Sequence, residues 1–367
     1  MQASQPRLAS LDVFRGGTIA AMILVNNQIV EHPFEPLGHA EWHGWTFTDL
    51  VFPSFLWIVG VALTLSLAKR VARGDDKGKL LLHVLKRAAL IFLIGLALNG
   101  FPAFDLSKIR IPGVLQRIGL CYLFASAIFL YFGTIGRIVW TAGLLIVYWV
   151  LMTAVPVPGC GAGSFSVDCN FARWIDGMVL TGHMWSRSKV WDPEGLISTL
   201  PAICNTMLGI FAGQILAAKR PSPTEKIAWL FFAGNLLMLA GLILSAWMPV
   251  NKQLWTVSYA LLTAGIAYVV FACCYWMVDL QGWQRWKAPF VIFGVNAMAM
   301  FVVSGMFGRL MSLIKIGGTG IGRVLWTNVY SQLGPPAVGS LFYGLTHVAL
   351  CFLVAWLMWR KGWILRV

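Results

Sequence analysis

Gly38-His39-Ala40-Glu41-Trp42-His43-Gly44-Trp45 is a polar collar, and close behind it comes Phe52-Pro53-Ser54-Phe55-Leu56-Trp57-Ile58-Val59-Gly60-Val61. That second string is the heart of a mostly apolar stretch lasting from 47 to 68, and Lys69-Arg70 ends it. About twenty apolar residues is the length a helix needs to cross a hydrocarbon core about 30 Å thick. In lipid, a helix satisfies its backbone N–H and C=O groups within its own segment, so the run reads as a membrane-spanning helix.

The rest of the chain agrees. Its 367 residues are 58% hydrophobic and only 11% charged, whereas a soluble domain carries about a quarter charged residues. Mean hydropathy is +0.74. Candidate spans fall near 11–30, 47–68, 83–100, 112–132, 137–155, 195–217, 227–248, 254–276, 288–307 and 338–359. The expectation is therefore an all-α polytopic membrane protein, a single domain over 1–367 built as a bundle of about ten transmembrane helices. Segment 308–337 contains Gly317-Gly318-Thr319-Gly320 and Pro335-Pro336, and reads as a loop with an interfacial piece. Gly209-Ile210-Phe211-Ala212-Gly213 is a small-xxx-small pair, read as interior packing. No internal repeat stands out, which disfavours a transporter built from repeated halves.

A net charge of +14 invites nucleic acid, but the cations sit in short loops. Lys69, Arg70, Arg73, Lys77, Lys79, Lys86 and Arg87 follow the second span. Lys219, Arg220 and Lys226 follow the sixth, Arg285 and Lys287 the eighth, and Arg360, Lys361 and Arg366 lie at the C-terminus. With ten spans these fall on one side, which the positive-inside rule makes cytoplasmic, together with both termini. They read as topology determinants, not as a nucleic-acid surface. Only Arg7 precedes the first apolar segment, and Asp12 and Arg15 interrupt it, so an uncleaved first span is expected. The His39 connection and the long 156–194 loop then face the opposite compartment. There Cys160 and Cys169 are spaced to allow a disulfide.

Few polar groups could carry chemistry. His39 is accompanied by Asn26 and Asn27 at the end of the first span, by Glu41 and His43, and by Asp49 at the start of the second. An unpaired carboxylate at the edge of a membrane is costly. Beside a histidine it orients the ring and stabilises its protonated form, as base or nucleophilic catalysis requires. The plainer alternative is an interfacial histidine bonded to a backbone carbonyl. His39 and His43 flank Glu41, but the spacing is not His-Glu-x-x-His and no further ligands are evident, so no metal is expected. Asp12 and Arg15 stand one turn apart, as an internal ion pair or as part of a site for an anionic ligand. Gln116 and Arg117 fall inside the fourth span, where ionisable groups are functional candidates. Asp192-Pro193-Glu194-Gly195 suits a helix start, and two carboxylates near a tryptophan also suit an amino sugar.

The strings Leu8-Ala9-Ser10-Leu11-Asp12-Val13-Phe14-Arg15-Gly16, Val25-Asn26, His39-Ala40-x-Trp42-x-Gly44 and Asp49-Leu50-Val51-Phe52-Pro53 occur in this order. Arg110-Ile111-Pro112-Gly113-Val114-Leu115-Gln116-Arg117, Pro156-Val157-Pro158-Gly159-Cys160 and Asp192-Pro193-Glu194-Gly195 follow. Val250-Asn251-Lys252-x-Leu254-Trp255 and Gly294-x-Asn296 complete the set. Together they resemble the transmembrane acetyltransferases typified by heparan-α-glucosaminide N-acetyltransferase, and bacterial NagX-type proteins among them. The resemblance covers nearly the whole chain.

It implies transfer of an acetyl group from cytosolic acetyl-CoA to an amino sugar of glucosamine type on the far side of the membrane. His39 holds the position of the family's catalytic histidine, with Asn26 and Asp49 beside it. Arg7, Asp12, Arg15, Gln116, Arg117 and Asn296 are the candidate donor-binding residues. Glu41, Trp42, Asp192, Glu194 and Trp255 are the candidate acceptor contacts. In the family's lysosomal enzyme Ser and Asn replace Glu41 and His43, so that pair is not required for the reaction. That enzyme's extra lumenal domain and preceding span are not expected here, which points to a bacterial inner membrane. A homodimer is implied by the resemblance alone. Two readings from other classes stand beside this one: a proton-coupled sugar transporter using His39 and Asp49, and an O-acyltransferase of surface polysaccharide.

Overall fold

The computed structural model describes residues 8–29, 31–283 and 285–365; Arg7 and Arg366 lie outside them. The chain is helical almost throughout. α1 spans Ala9–Asn26, α2 Phe47–Ala72, α3 Lys77–Gly100, α4 Val114–Tyr131 and α5 Thr134–Thr153. α6 (Phe171–Val179) lies in the long loop, followed by α7 (Thr199–Ala217), α8 (Pro223–Leu244) and α9 (Val257–Tyr275), which runs on through a π turn to Leu280. α10 (Ala288–Val295), α11 (Ala297–Leu313), α12 (Ile321–Asn328) and α13 (Pro336–Arg360) complete the set. A two-residue hairpin, Lys315–Ile316 against Thr319–Gly320, separates α11 from α12.

Among the described residues, eight helices are long and apolar enough to cross a membrane, or nine if α10 and α11 count as one span. This is a polytopic all-α membrane protein. The expected span at 11–30 is α1, whose 18 residues carry Asp12, Arg15 and Asn26 and fall outside that group. The expected continuous span at 288–307 is broken at Asn296, where α10 and α11 meet at a bend of 82°. Segment 308–337 holds the end of α11, the hairpin and α12.

Two compact units divide the chain. The first comprises residues up to His39, Thr46–Phe55 and everything from Val270 onward. Its organising contact is α1 against α10. A Cβ on Gly16 would lie 1.7 Å from the Phe290 carbonyl oxygen, and one on Gly294 would lie 2.1 Å from that of Asp12. Neither position accepts a side chain, because backbone meets backbone there. Phe14 and Phe271 pack with ring centroids 6.0 Å apart.

The second unit comprises Ala40–Trp45 and Leu56–Val269. Here α2 and α7 approach as closely: a Cβ on Gly60 would lie 2.0 Å from the Thr206 oxygen, and one on Gly209 2.0 Å from that of Trp57. The Gly209/Gly213 pair is thus a helix-packing face inside the unit. Cys160 and Cys169 are bonded, with Cα atoms 5.8 Å apart. Beside them Phe171, Tyr148, Met152, Met248 and Leu254 form an apolar cluster.

Candidate active site

In the first unit, Thr46 immediately precedes α2 and Asp49 occupies its first turn. The Asp49 Oδ2 accepts the Thr46 backbone N–H at 3.1 Å. That bond is one half of a capping box, in which a side chain three residues into a helix reaches back to the N-cap amide. The Thr46 hydroxyl lies 3.1 Å from the same Oδ2 and 2.7 Å from the Gly38 carbonyl oxygen, so its single proton serves one of them at a time. The helix N-terminus carries partial positive charge and favours the ionised carboxylate.

The other oxygen, Oδ1, lies 2.6 Å from His39 Nδ1. A carboxylate can only accept, so Nδ1 carries the proton and Nε2 the lone pair. The Asp49 side chain is 1% exposed, that of His39 43%. A buried anion therefore orients an accessible ring, the arrangement in which imidazole takes a proton or an acyl group.

The connection carrying His39 is itself fastened. Gln28 accepts the Phe34 N–H at 2.9 Å and donates to the Leu37 oxygen at 3.2 Å. Thr48 donates to the Leu37 oxygen at 2.7 Å, and the Ile29 N–H donates to Ser340 Oγ on α13 at 2.9 Å. Asn26 ends α1, exposed, and its side chain makes no hydrogen bond recorded among the described residues. Its neighbour Asn27 donates to the Ile23 oxygen and to Ser304 Oγ.

At the other end of α1, Arg15 Nη1 lies 3.4 Å from both Asp12 Oδ1 and the Gly294 oxygen. Asp279 caps the helix, accepting the Ala9 and Ser10 N–H groups at 3.3 and 3.1 Å. Asn296 sits at the α10–α11 bend and uses both ends of its amide on the C-terminal tail. It donates to the Trp363 oxygen and accepts the Leu365 N–H, each at 2.9 Å.

The second unit holds the remaining candidates. Arg110 grips Asp192 with two bonds, Nε to Oδ2 at 2.8 Å and Nη2 to Oδ1 at 2.6 Å, and also contacts Glu194. Asp192 Oδ2 further accepts the Trp185 N–H, and Oδ1 the Glu194 N–H, both at 2.9 Å. The four acceptor positions of this buried carboxylate are filled by protein donors. Burial alone lowers the Arg110 pKa, but the hydrogen bond to Asp192 and the charges of Glu194 and Asp192 outweigh it and raise the value overall.

Beneath them, Asp176 accepts the Leu196 N–H at 3.0 Å and the Asp192 N–H at 3.3 Å. Burial pushes its pKa up to about 6 despite those bonds. A Cβ on Gly195 would lie 2.0 Å from the Asp176 carboxylate, so glycine is required at that point of the turn.

Arg117 is fully buried. Nη2 donates to the Gly195 oxygen at 3.0 Å and to Ser198, and the guanidinium lies over the Trp255 ring at 5.0 Å. Its Nε and Nη1, and the neighbouring Gln116 Nε2, have no hydrogen-bond partner among the described residues. Trp255 adopts φ +53° and donates Nε1 to Asn205 at 2.8 Å. Trp42 donates to the Phe165 oxygen at 2.8 Å and packs edge-on to Trp191. Glu41 is exposed. His43 lies 3.3 Å from Asn251, and burial lowers its pKa.

The structure thus joins His39 to Asp49, Asp12 to Arg15, and Asp192 to Glu194 through Arg110. Thr46, Asp176 and Asp279 were not anticipated. Of these, only Thr46 had a signal in the sequence, the Thr-x-x-Asp spacing of a capping box.

The sequence model described as heparan-alpha-glucosaminide N-acetyltransferase, catalytic, matches residues 7–243. The chain is similar to the Homo sapiens protein named heparan-alpha-glucosaminide N-acetyltransferase, with 30% identity over 84% of this chain and 54% of the relative. The Mus musculus protein of the same name is 28% identical over 82% of this chain and 54% of its own length. The chain spans about half the length of the curated relatives it matches.

Proposed function

The chain belongs to the heparan-α-glucosaminide N-acetyltransferase catalytic family, and from that premise we propose that it transfers acetyl from acetyl-CoA to the amino group of a glucosamine-type sugar. The observation that carries this reading is the short bond between buried Asp49 and accessible His39. The amine nitrogen forms a bond to the thioester carbonyl carbon while Nε2 of His39 takes its proton. The carbon–sulfur bond then breaks, and the proton passes from the imidazolium to the leaving thiolate. In the stepwise variant Nε2 attacks the carbonyl carbon first and the thiolate leaves; the amine then takes the acetyl group as the bond to Nε2 breaks, and the amine proton passes to the thiolate by way of the freed Nε2. Asp49 stabilises the cationic ring in both.

Asn26, exposed at the end of α1, is the proposed donor to the carbonyl oxygen as negative charge develops there. One such donor is worth about 2.7–4 kcal/mol, so Asn26→Ala should lower kcat by about two to three decades. The phosphates of acetyl-CoA cannot cross lipid, and the cluster from Lys69 to Arg87 makes its side of the membrane the natural one for the nucleotide. Asp279 already caps α1, so anion binding there falls to Arg15 and Arg7 rather than to the helix N-terminus. The acceptor then approaches from the side of the α1–α2 connection, opposite the cytoplasm.

The test is incubation of the purified protein with acetyl-CoA and a panel of amino sugars, read by mass spectrometry and by release of CoA. Donor-dependent N-acetyl sugar with one CoA per product is expected. Sugar accumulation in vesicles lacking acetyl-CoA would instead mark a transporter. Labelled acetyl retained on the enzyme without acceptor, and lost in His39→Ala, would select the stepwise route.

A further inference from the structure

Three membrane-spanning helices of the second unit, α4, α5 and α7, enclose an apolar cavity of about 690 Å³. We propose that it seats one acyl chain of an anionic glycerophospholipid from the cytoplasmic leaflet, whose phosphodiester pairs with Arg137 at the start of α5. The proposal is independent of the transfer reading.

The cavity has the length and the chemistry of a hydrocarbon chain. α4 lines it with Leu120, Phe124, Ala127 and Tyr131, a stripe at helical spacing about 16 Å long. That is about half of a ~30 Å hydrocarbon core, the depth to which the chains of one leaflet reach. α5 adds Trp140 and α7 adds Ile203. The Thr199 hydroxyl, also in the lining, is spent on the Gly195 oxygen at 2.8 Å, so it offers a guest no proton. Tyr131 and Trp140 are exposed, and aromatic rings with polar tips favour the level of the headgroups. α3 starts among the cations between Lys69 and Arg87, so the chain crosses out in α3 and back in α4. The α4–α5 turn therefore lies on the side of those cations, which is the cytoplasmic leaflet.

Charge selects the headgroup. Arg137 stands one turn before Trp140 on α5, at the spacing that makes helical neighbours. Its Nη2 donates to the Phe129 oxygen at 2.6 Å, and its guanidinium lies over the Phe129 ring at 4.0 Å. Its Nε is buried with no hydrogen-bond partner among the described residues. No Asp or Glu occurs in α3, α4, α5 or α7 to offset this cation. A cation in the first turn of a helix also opposes the helix dipole, and no side chain caps the free N–H groups of α5. Guanidinium and helix N-terminus thus call for the same partner, an anion, and phosphate is the anion that a bilayer supplies.

Shape favours a lipid over a second copy of the chain. Helices associate in lipid through small residues and interhelical hydrogen bonds. The exposed lining residues here are large, Phe124, Tyr131, Phe132, Trp140 and Leu196, with Ala127 set among them. Such a rim holds a neighbouring helix away, while a thin flexible chain passes between the rings.

The experiment uses the full chain, purified in detergent and stripped of lipid. It receives an equimolar amount of phosphatidylglycerol or phosphatidylcholine, each with a photoreactive group in its acyl chain. Crosslinks from phosphatidylglycerol should map by mass spectrometry to residues 120–144 and 196–203. Native mass spectrometry should give phosphatidylglycerol a dissociation constant about tenfold below that of phosphatidylcholine, the scale of one charge-assisted contact. Arg137→Gln should abolish this preference while the crosslinks persist. Ala127→Trp, which fills the cavity, should abolish the crosslinks. Crosslinks scattered over all helices, equal affinity for the two lipids, or a preference that survives Arg137→Gln would overturn the proposal. So would a dimer of the unaltered protein that takes up no lipid and dissociates in Ala127→Trp, which would give the cavity to a second copy. The crosslinks on the unaltered protein decide the matter even if Ala127→Trp fails to fold.

Discussion

His39 with Asp49 and Arg110 with Asp192 are two pairings of a cation-forming side chain with a buried carboxylate, and they do opposite things. Asp49 spends one oxygen on the cap of α2 and turns the other to a ring that is 43% exposed. Asp192 spends both oxygens on four protein donors, two from Arg110 and two from the backbone. The first arrangement leaves a basic nitrogen to act on something else. The second closes on itself and holds the 185–195 turn to the loop before α4. Burial of a carboxylate therefore does not mark a site. What marks it is whether the partner still has chemistry to offer.

Substitutions can break this contrast at either end. The largest expected effect is on turnover at the first pair. Asp49→Asn keeps the shape but replaces one acceptor oxygen with a donor amide and favours the wrong tautomer, so kcat should fall by about four decades, as in other carboxylate–histidine pairs. The melting temperature should move little. A variant with unimpaired kcat would remove His39 and Asp49 from the mechanism.

At the second pair the loss should appear in stability. Arg110→Ala strands Asp192 without its countercharge, a change that costs about 3–5 kcal/mol for a buried pair. Thermal unfolding in detergent should show a clear drop, while KM for acetyl-CoA in the protein that remains folded is little changed. A large KM change at constant stability would reassign Arg110 to substrate binding.

Asp176 sharpens the comparison through pH. Its folded pKa of about 6 lies above the ordinary aspartate value of 3.8, so between these values the folded state holds more protons than the unfolded state. Stability then falls as pH rises through that window, by about 3 kcal/mol at most if the rest of the protein does not titrate. Melting scans between pH 4 and 7 should show this slope, and Asp176→Asn should flatten it. An unchanged slope in that variant would place the titrating group elsewhere.

The smallest effect is expected at Thr46. Thr46→Val removes the hydroxyl but keeps the backbone N–H that Asp49 accepts. Stability should drop by about 1 kcal/mol, at the scale of a lost N-cap side chain. Activity should fall by about tenfold or less, because Asp49 retains its cap and its bond to His39. A loss as large as that of Asp49→Asn would make the hydroxyl itself part of the reaction.

Much of the fold was legible in advance because hydropathy is a local sum. Each apolar run announces its own helix, whatever it packs against, and the expected boundaries of α2, α4 and α7 lie close to the observed ones. The run at 288–307 misled for the same reason: its composition is apolar throughout, yet Asn296 turns the chain by 82° and anchors the C-terminal tail. The His39 pairing was also legible, since its partner is ten residues away and lies in the first turn of the next helix.

The sequence by itself determined that this is a membrane bundle, which polar collar interrupts it, and which family it belongs to. Only the tertiary structure decided that Asp192 meets Arg110 across 82 residues, that Asp176 lies beneath the same turn, and that Tyr131 shares a cavity with Ile203. The physical reason is reach. Insertion into lipid is settled residue by residue along each segment, whereas a side chain's charge and hydrogen bonds are settled by whatever distant groups the packed helices bring within about 3 Å.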